Sequence, residues 1–175
     1  MKHTVIRRHF TKLICLFILT FSSICLIPVS AQKTVDFSGA WKLDISKSDT
    51  LPSVTSETLT INQSGDSITI NRTIEAKNTN PVKGVFKYTM NKSAEKSSKA
   101  GTLTTTCTWG SELKSFSVTD SFVSEMNGVK QESKRVSIYS LSDDGKILTI
   151  ISDDFYPTDG KKKGLEHFKQ VFVRS

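Results

Sequence analysis

Few side chains in this 175-residue chain combine the types and spacings that catalysis demands. Of the three histidines, His3 and His9 belong to the basic start of the N-terminal stretch 1–31, which leaves His167 by itself. A metal centre or a general base needs partners, and no second His or Cys stands at ligand spacing from it. Cys107 is likewise alone beyond that stretch, and an isolated thiol on an alternating strand reads as packing. Asp143-Asp144 precede Gly145, where carboxylates serve turn geometry. Asp153-Asp154, ahead of Phe155-Tyr156, lack the regular spacing of a calcium loop. No serine elbow, phosphate loop or paired-carboxylate frame occurs. The expectation is binding without catalysis, and without a catalytic residue, metal or cofactor.

Aromatic residues offer the better candidates. Phe86, Tyr88, Trp109, Phe116, Phe122 and Ile138, with Thr105 and Asp120 among them, fall on strand faces that would line one interior. If they enclose a void, a small hydrophobic or amphipathic molecule enters and a few polar groups orient it. If they interdigitate, they are a filled core. The chain would then act as a protein-binding module or inhibitor through loops 76 to 84, 92 to 101 and 153 to 164. An enzyme would need His167 to converge with an acidic residue and Cys107.

Short strands must position these residues. Asp36 to Asp44 reads as an opening strand, and Ile45 to Val54 as a polar connector holding Pro52. Leu59 and Ile61, then Ile68, Ile70, Arg72 and Ile74, alternate with period two around Gln63-Ser64-Gly65-Asp66, which makes a hairpin. Strands follow at Val85 to Met90, Leu103 to Trp109, Leu113 to Glu125, Lys130 to Leu141, Ile147 to Asp153 and Leu165 to Arg174. Between them lie Ala76 to Gly84, the lysine- and serine-rich Lys92 to Gly101, Gly110-Ser111-Glu112, Asn127-Gly128, the turn ending at Lys146, and a loop containing Pro157. The fold class expected is all-β, an antiparallel up-and-down β-barrel of about eight or nine strands, with a β-sandwich as the alternative.

Met1 to Ala31 carries a basic start, an apolar run from Leu13 through Leu26, a break at Pro28 and a Val29-Ser30-Ala31 cleavage site. This is the pattern of a secretory signal peptide, so the expected organisation is a signal at 1–31 and one barrel domain at 32–175. Ile24 before Cys25 argues against lipidation, and no stable membrane insertion is expected after cleavage. The signal holds four basic and no acidic residues, so its removal lowers the formal charge from +7 to +3. The remaining lysines are scattered among turns, and no nucleic-acid partner is expected. With Cys15 and Cys25 gone, no internal disulfide is available, although a domain of this length buries about two thirds of its unfolded surface without one.

Phe37-Ser38-Gly39-Ala40-Trp41-Lys42-Leu43-Asp44 with Lys47-Ser48-Asp49, Leu141 to Ile150, and the final Val171-Phe172-Val173-Arg174 resemble the small exported bacterial lipocalin-like proteins. The resemblance implies a periplasmic or secreted barrel of calycin type. It also implies that Gly39 and Trp41 close one barrel end and that Arg174 packs across the indole, a cation–π contact contributing roughly 0.5–2 kcal/mol.

Overall fold

In a computed structural model, residues 34–111, 113–126, 128–156 and 164–175 are described. The signal peptide expected at 1–31, Glu112 and Asn127 of two turns, and the loop segment 157–163 lie outside the described residues. Ten strands form one antiparallel sheet: β1 Gly39–Leu43, β2 Val54–Ser64, β3 Ser67–Ala76, β4 Val82–Thr89, β5 Lys92–Ser98, β6 Gly101–Trp109, β7 Ser115–Met126, β8 Val129–Leu141, β9 Ile147–Tyr156 and β10 Gly164–Arg174. Their order in space is β4-β3-β2-β1-β10-β9-β8-β7-β6-β5. Each strand beside its sequence neighbour makes an up-and-down meander, and β1 pairing with both β2 and β10 curls it into a nearly closed barrel. β4 and β5 stand at the two ends of the order, so the barrel keeps one open seam.

That seam has a local cause. Thr89 ends β4 and Asn91 takes the left-handed conformation at φ 57°, a backbone state that asparagine tolerates. The Met90 amide donates to Asp66 on the β3 side, whereas the Asn91 amide donates to Cys107 of β6. One turn therefore hands the chain from one sheet edge to the other instead of closing a paired hairpin.

The count of ten exceeds the expected number because β5, Lys92–Ser98, was expected to be an exposed loop. Every residue of that strand is exposed, so no apolar alternation marks it. It is held by pairing with β6, from Lys92 opposite Cys107 to Ser98 opposite Gly101. Gly101 itself, at φ 144°, lies so close to the Val123 carbonyl and the Phe122 ring that a Cβ has no room there. β4 begins at Val82, inside the loop expected over Ala76 to Gly84. β9 runs on past the expected strand end at Asp153, through Asp154 to Tyr156, so three residues expected to open the loop sit in the strand.

One end of the barrel is filled. Trp41, Phe37, Phe116, Phe172, Ile61, Ile68 and Leu148 are essentially inaccessible and pack together with Met90 and Cys107. Phe37 meets Phe116 edge-on at 4.8 Å, and Phe116 stacks on Tyr139 at 4.4 Å. The segment before β1 crosses this end and is pinned by Gln63, whose carbonyl accepts from the Phe37 amide while its amide group donates to the Val35 carbonyl. Trp41 donates its indole N–H to the Phe37 carbonyl, so the buried ring carries no orphaned donor. Arg174 lies 4.5 Å over the other face of the closure as a cation on the indole, opposite Trp41 in register. Gly39, at φ 148°, leaves the space that the Arg174 guanidinium occupies.

Candidate functional site

Above this plug the inward positions change character. From the filled end outward, β7, β8 and β9 present Phe116–Tyr139–Ile150, then Val118–Ser137–Ser152, then Asp120–Arg135–Asp154. Aromatic and aliphatic groups give way to hydroxyls and then to charges. The resulting cavity holds about 360 Å³ and is walled by Leu59, Ile70, Phe86, Tyr88, Val118, Tyr139 and Ile150 among others. Its polar groups come from β2, β3, β7, β8, β9 and β10: Glu57, Arg72, Asp120, Arg135, Ser137, Ser152 and Gln170.

Most of these polar groups are already committed to one another. Asp154, nearly inaccessible, accepts both arms of the Arg135 fork at 2.5 Å and the Tyr156 hydroxyl at 2.8 Å. Ser137 and Ser152 share a hydrogen bond of 2.9 Å. Glu57, 3% exposed, sits with one oxygen 2.8 Å from Arg72 Nε and receives Gln170 Nε2 on the other at 3.1 Å. The Glu57–Arg72 contact is coulombic only, since neither facing atom makes an aligned hydrogen bond. Asp120 accepts a short hydrogen bond from the Thr105 hydroxyl.

Several acidities are displaced by these surroundings. Hydrogen bonds from Arg135, aided by Tyr156, hold the Asp154 carboxyl below the usual carboxylate range against the opposing effect of burial. Burial, reinforced by neighbouring Asp120, pushes Tyr139 up to about 12 and Tyr88 above the ordinary phenol range. Burial pushes the Cys107 thiol up to about 11, which keeps it protonated and inert at neutral pH. Asp154 yields a prediction whose sign follows from its depressed acidity. The stability it contributes is present above the unfolded value near 3.8 and is lost as pH falls through the folded value. Urea midpoints measured from neutrality to pH ~2.5 should fall more steeply in the wild type than in Arg135→Met below about pH 4. Parallel curves would show that the fork does not set this acidity.

The sequence-derived candidates divide among different places. Phe86, Tyr88 and Asp120 line the cavity. Thr105 lies beside it in the open seam, and Phe122 in a rim pocket shared with Asp120. Trp109 and Phe116 belong instead to the plug, where Trp109 packs on Phe37 and Phe116. Ile138 requires correction: it is 43% exposed on the outer face. Its cross-strand partners are Ser117 and Ile151, and the one-residue offset from Tyr139 turns it outward. The aromatic set thus both interdigitates and encloses a void, at different heights.

Glu57, Arg135, Tyr139 and Gln170 had not been singled out, Arg72 was read only as part of an alternating strand face, and Asp154 only as part of an acidic pair without calcium-loop spacing. Charged residues such as Glu57 and Arg135 on alternating strands read as the solvent face, and only the curl of the sheet turns them inward. A parity count from Phe116 and Val118 through the β7–β8 register would have found Tyr139 and Arg135. His167 lies on the outer face, where its ring nitrogen is 2.7 Å from Asp153. Cys107 points inward to Met90, sulfur to sulfur at 3.4 Å. No nucleophile–base pair forms from the two.

No protein-family model and no curated protein sequence matches the chain. Among solved structures it is similar to the wild-type fluorescent protein UnaG, with a TM-score of 0.52 at 12% identity over 79% of this chain and 97% of that one. It is also similar to secretory abundant heat soluble protein 4 from Ramazzottius varieornatus, with a TM-score of 0.46 at 12% identity over 83% of this chain and 99% of that one. At these identities the UnaG likeness is one of fold alone, and the weaker one adds nothing to it. The class so defined is an antiparallel up-and-down barrel with one seam, compatible with the calycin type.

Proposed function

We propose that this chain is an exported, non-catalytic barrel that takes up a small amphipathic molecule in its interior. The observation that carries the reading is the cavity of about 360 Å³, floored by apolar groups on the plug side and lined farther out by polar groups, most of them held in place by their own partners. Fixed polar groups beside apolar walls orient a bound molecule at little entropic cost, because their side chains are ordered before it arrives. Export is supported by the signal-like segment at 1–31. A binding role is supported by the inert Cys107 and by the separation of His167 from every inward group named above.

Ser137 provides the test, because it lines the cavity and is 8% exposed. Ser137→Trp fills the void with an indole at the cost of one hydroxyl pair. The neutral solvatochromic dye Nile red should bind the mature protein with a blue-shifted emission, and Ser137→Trp should weaken that binding by about tenfold or more while the far-ultraviolet circular dichroism is retained. Unchanged dye affinity in a folded Ser137→Trp would move binding out of the interior.

A further inference from the structure

Three hollows of the barrel share one wall residue. The interior cavity, the seam between β4 and β5, of about 470 Å³, and a rim pocket of about 210 Å³ all include Asp120. Phe86 and Tyr88 border both the interior and the seam, so the two hollows adjoin at these rings and Asp120.

The charge balance around it is uneven. Two carboxylates of the interior, Glu57 and Asp154, have their own arginines, Arg72 and Arg135. Arg135 stands directly across from Asp120 in register, yet both arms of its fork go to Asp154. Asp120 has the Thr105 hydroxyl and no ion-pair partner among the described residues. Glu57 Oε1, by contrast, faces Arg72 Nε at 2.8 Å, a buried contact without hydrogen-bond alignment. Lys87, Lys92 and Lys96 line the seam, but all three are exposed, and solvent and salt weaken their reach more than that of a half-buried group. With Arg72 on Glu57 and Arg135 on Asp154, Asp120 is the cavity carboxylate left without a guanidinium of its own, beside rings whose faces attract cations.

We propose that the occupant of the interior carries a cationic group, a protonated amine in the simplest case, and that Asp120 receives it at the junction of cavity and seam with Phe86 and Tyr88 against it. This rests on the reading of the interior as the binding site and names the chemical class that site selects. The apolar remainder of the molecule lies along Val118, Ile70 and Ile150.

Decylamine, decanol and decanoate share one tail and differ in the charge of the head. Each is titrated against Nile red bound to the mature protein at neutral pH, with wild type and Asp120→Asn. Decylamine should displace the dye at a concentration about tenfold or more below decanoate, with decanol between them, as expected when a charged hydrogen bond is gained. Asp120→Asn keeps the shape and the Thr105 contact, and should bring amine and alcohol together. Displacement by decanoate as easily as by decylamine in the wild type overturns the assignment of charge and leaves the interior reading standing. An amine preference that survives Asp120→Asn overturns the role of Asp120. Failure of Nile red and all three probes to bind overturns both readings. The wild-type order alone decides the charge preference if Asp120→Asn does not fold.

Discussion

Trp41→Ala is expected to lower the unfolding free energy by about 3–5 kcal/mol, the range for deleting a large aromatic from a packed core. Three consequences of the truncation add in the same direction. The ring is wholly inaccessible and fits among Phe37, Leu59 and Ile61, so its loss leaves a hole that neighbouring strands cannot collapse to fill. The Phe37 carbonyl loses the indole donor at 3.2 Å. The Arg174 guanidinium loses the face on which it lies at 4.5 Å. Arg174→Ala should cost far less, about 0.5–2 kcal/mol, because that side chain is exposed and keeps one face in water. Its Nε donates to the Gly145 carbonyl and Nη1 to the Ser38 carbonyl, and these contacts tie the β8–β9 turn to the start of β1. Urea denaturation of the two single variants and the double variant gives the coupling directly. A loss below about 1 kcal/mol for Trp41→Ala would mean that the plug is not what holds the barrel end together.

The closure was legible because its parts are local or terminal. Gly39 and Trp41 are two residues apart, and Arg174 is one residue from the end of the sequence, so the resemblance placed them without any knowledge of the sheet. The meander was legible for a similar reason: turns such as Ser64–Ser67 and Ser142–Ile147 each join strands that pair. What escaped was anything defined by the sheet's two edges. The strand Lys92–Ser98 has no buried side to betray it, and the seam beside it exists because a single left-handed Asn91 redirects the chain. The interior charges escaped because period-two alternation gives each strand two faces without naming which is inside. In β8 the apolar Val136 and Ile138 suggested the inner face, but Ser137 and Tyr139 occupy it. Packing against Phe116 decided between them, since the stacked Tyr139 completes the plug.

Arg72→Met should cost about 3 kcal/mol, at the lower end of the range for breaking a buried ion pair by removing one partner. Arg72 contributes little on its own account, being about a third exposed, whereas Glu57 is 3% exposed. Without the guanidinium, the Glu57 charge is left with Gln170 Nε2 as its hydrogen-bond donor. One neutral amide cannot replace a cation at 2.8 Å in a site from which bulk solvent is largely shut out. Removing both charges, as Glu57→Leu with Arg72→Met, should recover most of the loss, because the desolvation of the carboxylate disappears with it. Unfolding in urea reads both variants. If Arg72→Met costs under about 1 kcal/mol, water reaches Glu57 freely and the cavity is wetter than its walls imply. The comparison also bears on the occupant. A carboxylate stripped of its arginine adds to the negative charge already present at Asp120, so Arg72→Met should sharpen the preference for decylamine over decanoate even as it weakens the fold. A variant that lost stability and gained nothing in that preference would place Glu57 and Asp120 in separate electrostatic environments, and would confine recognition of the head group to the seam side of the cavity.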